Sequence, residues 1–554
     1  MKPYKWAGRG DINAFFGLML DNVAVMVLLV SLISRPGAND ATGFFTPEFV
    51  LTRMVPGTAL GVLLGDLVFT WMAVRLARRT GRHDVTAMPL GLDTPSTFPV
   101  ALLVLLPTLK EAATRFPGDY ERAMEFAWHV GLTVLVIVGI FKVFLAPLGN
   151  AVRRLVPRAG LLGSLAAVAL ALIAFLPLVD IAAFPVAGLA ALLVILVSLV
   201  AHRELPGKVP GALAAVLVGV IVYQVCLWLQ PLPVGPAVPE PIVQPGFAWG
   251  LPMFQGQGAA WWEAVFLAAL PKLPVILPFA LATIVGGIDC TESAASAGDE
   301  YDTGAVLMTE GVASFVAGLL GGVLQTTPYI GHPAYKKMGG RAAYTLACAL
   351  FVGAAGCFGG VTLLFDWLPK AAMFPILVFV GLEITAQSFH ATPPRHYPAL
   401  AIAMLPALAQ LVMILLKGTY PGVTPQGPDQ LLQLQTMRCL SNGFIVTSML
   451  WAAALAMLID GRFNAAAAYF AIAAVCAFFG IMHSPLPDEQ IALPHQVLEQ
   501  LSKNAAPFVH AVRYQTPYHW AGGYGLVALM TLGLGMVRSG EKASSGSTGP
   551  ASPA

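Results

Sequence analysis

Apolar residues run along the chain in long stretches, without the stripe of an amphipathic helix or the alternation of a half-buried strand. Runs such as 165–178, 189–200 and 346–365 lie inside apolar segments close to the roughly 20 residues an α-helix needs to cross hydrocarbon. About fourteen such spans can be counted, and the stretches 463–483 and 521–536 add one or two more helices after them. Segments 86–95 and 326–333, rich in Pro, Gly and Thr, break this pattern with no long polar loop around them. Non-helical backbone at membrane depth must line protein or a cavity, because lipid offers no hydrogen bonds. The pattern predicts an all-α polytopic membrane protein with two half-helix spans.

Composition agrees. Hydrophobic residues make up 57% and charged residues 11% of the 554, too little charge to clothe a soluble enzyme of that size. A net charge of +2 without a long Lys/Arg run leaves no footprint for nucleic acid, so no such partner is expected. Cys226, Cys290, Cys348, Cys357, Cys439 and Cys476 are scattered, with neither metal-ligand spacing nor a disulfide framework. No metal and no cofactor is expected. Lys2, Lys5 and Arg9 precede an apolar run with polar interruptions and no small-residue cleavage site, which reads as a retained first span. Residues 539–554, mostly Ser, Gly, Pro and Ala towards the end, are expected to form a disordered tail.

The charges carry topology. Arg75/Arg78/Arg79/Arg82, Lys142/Arg153/Arg154/Arg158, His202/Arg203/Lys208 and Lys336/Lys337/Arg341 fall on every second connection. The positive-inside rule puts those connections, and the N-terminus, in the cytoplasm of a plasma or inner membrane. Two pairs of segments look alike across the Pro-rich middle: 86–95 with 326–333, and 156–160 with 368–372. The charge count gives the members of the second pair opposite orientations, as an inverted-topology repeat requires.

Candidate chemistry concentrates at the breaks. Thr94 reads as an N-cap with Pro95 at the first helical position, and His332 with Pro333 repeats the arrangement. Each presents a half-helix N-terminus to the interior, suited to a polar or anionic ligand. Asp289 and Glu292 stand three residues apart in an apolar run, on one helix face. Such a pair suits a proton-coupling group or a substrate ligand. His332 at its helix start could titrate or donate to a ligand. Asp21, Asn22, Asp66, Glu310 and Glu383 also lie in apolar surroundings, with caps or interhelical hydrogen bonds as their duller role. His129 and Lys142 read as snorkelling groups near span ends. Gly57, Gly61 and Gly65, and Gly318, Gly321 and Gly322, read as faces for close helix packing.

Several stretches resemble the nucleobase:cation symporter family of uracil, xanthine and purine permeases, whose fold also serves sulfate and bicarbonate transporter families. They are Leu155-Val-Pro157-Arg-Ala-Gly160, Glu310-Gly311 through Gly322 followed by Thr326-Thr-Pro-Tyr329, Ala372-Met-Phe-Pro375, and Tyr397-Pro-Ala-Leu. The last two are most similar to the hypoxanthine, guanine and adenine permease branch. The resemblance implies a 7+7 inverted-repeat transporter fold with core and gate domains, its half-helices preceded by short strands. By it, 1–154 is core and 155–230 gate in the first repeat; 231–260 is an extracytoplasmic linker. In the second repeat 261–366 is core and 367–462 gate, followed by a hydrophobic extension at 463–538.

Carried over by position, the resemblance places substrate against Asp289, Gly91, Asp93, Thr94, Ser96 and Phe98, with Tyr329, Gly331 and His332 from the tenth span. Asp289, Glu292 and His332 are the implied proton-coupling groups. Where family members usually carry Glu, or Gln with Asn, just after the second strand, this chain has Gly331-His332 or Ala334-Tyr335, and neither restores a carboxylate. The implied function is a proton-coupled permease for a purine or related heterocycle, acting by alternating access in a lipid bilayer, with a homodimer as a compatible assembly. The alternative on the same fold is a carrier of a small inorganic or carboxylic anion, favoured by half-helix dipoles and the missing acid; a channel is also open. No His-x-x-x-His, Gly-x-Ser-x-Gly or paired metal ligand is present, so an enzyme is not expected.

Overall fold

A computed structural model describes residues 4–35, 37–39, 42–148, 158–201, 203–229, 257–329, 331–419, 427–486, 494–503 and 512–545. Most of the expected linker, the segment 156–157 and the end of the tail lie outside the described residues.

The chain is a helical polytopic membrane protein. The first seven spans are Gly10–Ile33, Pro47–Thr80, Thr94–Arg115, Tyr120–Leu145, Ala159–Ala183, Pro185–Val200 and Gly211–Leu229. The eighth runs through Ala259–Ala269 and Leu273–Ser296. Thr303–Leu319 is the ninth, the short helix His332–Lys337 the tenth, and Ala343–Cys357 the eleventh. Lys370–His390 and Pro394–Leu416 follow, and then Pro428–Ser441 with Phe444–Ile459, bent by 74°. The C-terminal extension adds the apolar helices Phe463–Phe478 and Pro517–Ser545, with the short helix Pro494–Lys503 between them.

Two compact units result, Met1–Arg153 with Ile173–Glu383, and Arg154–Leu172 with Ile384–Ala554. In the second unit the thirteenth span packs on Phe444–Ile459 and on the opening of the fifth span. Ala159, Ala399, Ala403, Ala452 and Ala456 line that contact, small side chains that let helix backbones approach. Phe463–Phe478 and Pro517–Ser545 pack on each other.

In the first unit the packing repeats itself when each span number is advanced by seven. The second span lies on the eleventh and the ninth on the fourth; the first lies on the eleventh and the eighth on the fourth. Directions are reversed as well. Arg82, just past the second span, meets Asp299, just before the ninth, and Lys142 near the end of the fourth meets Glu310 in the first half of the ninth. Partners of opposite direction and matched packing are an inverted repeat. The glycine faces act as expected: a Cβ on Gly61 would meet Ala317 at 2.7 Å, and one on Gly318 would meet Val136 at 2.8 Å.

At the centre, β1 (Leu90–Leu92) pairs antiparallel with β2 (Thr326–Pro328), with Gly91 opposite Thr327. β1 leads into the third span and β2 into the tenth, so each repeat crosses the middle as a short strand followed by a helix. The caps differ from the sequence reading by one residue. Asp93, extended at φ −77° and ψ 97°, is the N-cap of the third span, and Thr94 is already helical. Gly331 precedes the tenth-span helix and supplies no side-chain cap, leaving His332 inside it.

Candidate functional site

A two-stranded ribbon at membrane depth has two open edges, and every N–H and C=O on them needs a partner. Side chains from neighbouring spans supply these partners. On β1, Leu90 N–H donates to Asp66 Oδ1 at 3.2 Å and Leu92 N–H to Asn22 Oδ1 at 3.0 Å. On β2, Thr326 N–H donates to Ser314 Oγ at 3.0 Å, Lys142 Nζ donates to Thr326 O at 3.2 Å, and Cys290 Sγ to Pro328 O at 3.3 Å. Pro328 has no N–H to satisfy. Asn22 and Asp66 thus make interhelical hydrogen bonds to β1, and the Glu310 side chain makes one to Lys142.

Lys142 departs from its expected role. It is fully buried and does not snorkel, with Nζ 2.6 Å from Glu310 Oε1. His129 is buried too, its Nδ1 accepting the Trp261 indole N–H at 3.0 Å. Sequence alone makes both end-of-span groups, because their partners Glu310 and Trp261 lie far away in the chain.

The third-span candidates gather at the ribbon. Asp93, Thr94, Ser96 and Phe98 are all buried. Asp93 accepts from Ser96 N–H at 3.1 Å and from Gln325 Nε2 at 2.7 Å, tying the helix start to the residue before β2. Gly91 is required by close approach, since a Cβ there would lie 2.7 Å from the Tyr329 phenol oxygen. That phenol donates to Asp21 Oδ2 and lies 3.3 Å from Leu92 O. Asp21 Oδ1, Thr94 Oγ1 and Gln325 Oε1 are buried without a hydrogen-bond partner, so three oxygens beside the ribbon's third-span end remain available to a ligand.

The other candidates are placed elsewhere. The His332 imidazole turns to the loop before β1, with Nε2 3.1 Å from Thr86 O and 3.3 Å from Asp299 Oδ2. Both neighbours of Nε2 are acceptors, so Nε2 carries a proton, and Nδ1 is buried without a hydrogen-bond partner. Asp299 also accepts from Thr86 N–H at 3.1 Å and pairs with Lys336 at 2.6 Å and Arg82 at 3.1 Å. Asp289 lies on the eighth-span helix one residue before Cys290, whose thiol reaches β2; the Asp289 side chain is outside the described residues. Glu292 is exposed in the last turns of that helix. Among the described residues no group of His, Cys, Asp and Glu is arranged to hold a metal ion.

Gln325 is missed as a ligand candidate by sequence reading, and Asp21 stands there only as one of several mid-span polar groups. The available signal for Asp21 was an acid in mid-span; for Gln325 there was none before the antiparallel register was known.

No family model matches the chain, and no curated protein does. Among solved structures it is similar to the transmembrane domain of a cyanobacterium bicarbonate transporter, BicA, at 17% identity over 73% of this chain and 95% of that one, with a TM-score of 0.43. It is also similar to SLC26A9, at 12% identity over 82% of this chain and 64% of that one, TM-score 0.49. A third is the murine Solute Carrier 26 family member A9 anion transporter in its inward-facing state, at 13% identity over 74% and 66%, TM-score 0.44. The first and third are described as a bicarbonate and an anion transporter, and none as a nucleobase carrier, which corrects the expected family and its purine substrate. The stretches that carried the nucleobase resemblance are mostly Pro- and Gly-marked helix openings and the strand itself. Such features specify how the chain crosses the membrane and leave the solute unspecified.

Proposed function

We propose that the protein is a secondary transporter for a small inorganic or carboxylic anion, working by alternating access and moving a proton or other cation with it. The observation that carries this reading is the buried ribbon from which two oppositely directed helices begin. Broken spans meeting at mid-membrane are the pointer to a transport site, and the start of the 22-residue Thr94–Arg115 span carries a partial positive charge that favours an anion. Thr94 Oγ1, buried and unpartnered there, is the hydroxyl that would donate to it.

The cation follows from charge balance. Lys142 neutralises Glu310, but among the described residues Asp21, Asp66 and Asp93 are buried with no basic side chain in ion-pair contact. Carboxylates without an ion-pair partner at that depth are costly, which supports a cation moving with the anion. In this reading the solute lies against Gly91, Asp93, Thr94, Ser96 and Phe98, with Tyr329 and Gly331 beside it and Asp289 as a further contact, while His332 faces Thr86 and Asp299 instead. Asp21 and Asp289 exchange the proton, with Glu292 and His332 as further relay groups. In the same reading the N-terminus is cytoplasmic, which the basic connections support.

The test is uptake of labelled bicarbonate, sulfate, chloride and formate into proteoliposomes with an imposed pH gradient. Saturable uptake of one of these, accelerated by the gradient and reduced at least tenfold by Thr94→Val, is the expected result. Uptake of none of them, or equal uptake by Thr94→Val, overturns the reading.

A further inference from the structure

The C-terminal unit contains a second set of buried polar contacts, remote in sequence from the ribbon. His483 has its Nδ1 2.9 Å from Cys439 O and its Nε2 2.7 Å from the Tyr524 hydroxyl, which also accepts the Trp451 indole N–H at 2.7 Å. The chain of donors has one solution: Trp451 N–H to Tyr524 O, Tyr524 O–H to Nε2, and Nδ1–H to the carbonyl. The Trp520 ring stacks on His483 at 4.0 Å, and its own N–H goes to Gln515 Oε1 at 3.1 Å. Gln515 Nε2 goes on to Thr436 at 3.3 Å. His483 is held at φ 58°, the left-handed region, the one non-glycine residue there among those described; such strain costs about 1–3 kcal/mol and persists only where the surroundings impose it.

Trp451, Gln515, Trp520 and Tyr524 also line an open cavity of about 370 Å³, together with Tyr514, His519 and Val527, inside the range of small-molecule sites, about 300–1,000 Å³. Aromatic residues at the start of a span commonly sit at the lipid headgroup level with their polar tips in water. Here the tips of Trp451, Trp520 and Tyr524 are bonded inward, so the cavity offers ring faces and few free acceptors. A primary ammonium would lose its hydrogen bonds on entering. A quaternary ammonium has none to lose and is attracted to ring faces.

Two further features continue the site. The Arg513 guanidinium lies 4.6 Å from the centre of the Tyr514 ring at the rim, where it can pair with a phosphate. From Val527 an exposed apolar track runs along one face of the last helix through Met530 and Leu534, at the spacing that aligns side chains. Cationic head, phosphate and acyl chain would meet rings, guanidinium and apolar track in that order.

We propose that this cavity binds the headgroup of a choline-type phospholipid from the surrounding bilayer, as a site separate from the transport path. Purified full-length protein in detergent is titrated with dihexanoyl-phosphatidylcholine below its micelle concentration, and with the matching phosphatidylethanolamine, phosphatidylglycerol and free choline, following the melting temperature. Phosphatidylcholine alone is expected to raise the melting temperature in a saturable way, and the rim variants Arg513→Gln and Tyr514→Ala to weaken it at least tenfold without changing the lipid-free melt. Trp520→Phe keeps a ring on His483 and guards against a folding failure; it is expected to weaken binding less than Tyr514→Ala combined with Arg513→Gln. Equal stabilisation by all three lipids, saturation by free choline at the same concentration, or binding unaltered in the combined rim variant would each overturn the assignment.

Discussion

Lys142 and Glu310 are 168 residues apart in sequence and 2.6 Å apart in space, both inside the membrane. Removing one charge leaves the other in a medium that cannot solvate it, at a cost of about 3–5 kcal/mol. Lys142→Met and Glu310→Gln should each lower the melting temperature and the monodisperse yield sharply, whereas Lys142→Met with Glu310→Leu should recover most of the loss. A double variant as unstable as the two losses added would remove the pair from the account of stability. Asp299 gives a pH signature outside the spans. Burial raises its carboxyl pKa, but hydrogen bonds from His332, Lys336 and Thr86 N–H outweigh that and hold it below the ordinary carboxylate value. An unfolded Asp takes up its proton near pH 3.9, roughly, before the folded one does. The stabilisation is therefore complete above about pH 4 and is lost as pH falls through the lower folded value. Melting curves collected from pH 6 downwards should show a fall below about pH 4 that is shallower in Asp299→Asn; identical slopes would mean that these contacts do not favour the ionised acid.

The strand–helix crossing is the element whose behaviour depends most on its neighbours. Three residues of strand cannot hold themselves together, and β1 exists because Asp66 and Asn22 take its outward N–H groups. Asn22→Leu should leave the Leu92 N–H buried and unbonded, costing about 1–3 kcal/mol, while Asn22→Asp keeps an acceptor and loses less. Thermal melts of the two variants measured together check this, and equal losses would count against the capping role. Gly91→Ala must push the Tyr329 ring away from Asp21, so uptake should fall more than stability does. The breaks themselves were legible in sequence, because Pro, Gly and Thr at 86–95 and 326–333 stand out against long apolar runs. So were the acids and amide at mid-span, since each is conspicuous in hydrocarbon. What they do was not legible. Asn22 with Leu92, Ser314 with Thr326 and Gln325 with Asp93 are pairings set by strand register and span packing, and neither is encoded in local composition. The N-caps slipped by one residue for a related reason: Asp93 and Thr94 are both good caps, and which one stays extended depends on where β1 ends. Asp289 stood out as an acid in an apolar run, yet the contacts that define the ribbon come from its neighbour Cys290 and from spans one, two, four and nine.

At the level of the whole chain, the inverted packing and the charges make one joint claim about orientation. The second and fourth spans run towards the end of the first unit at which the ninth and eleventh begin, and that end gathers Arg82, Asp299, Lys336 and Arg341, the last bonded through its backbone N–H to Asp11. The opposite end carries Lys272 against Glu111 and Arg122 over Phe116 and Trp261. Two repeats of opposite direction put the basic connections of both halves on one side, so a single orientation satisfies the positive-inside rule for the entire unit. His83, Pro117 and Lys337 are exposed positions that sample the two ends. In intact cells, cysteines introduced at 83 and 337 should resist a membrane-impermeant thiol reagent until the membrane is opened, and a cysteine at 117 should react at once. The reverse pattern would keep the inverted repeat and turn the protein over, placing the N-terminus outside. Reaction at 83 but not at 337 is the outcome neither orientation allows, and it would show that the two halves do not share the inverted relationship on which the transport reading is built.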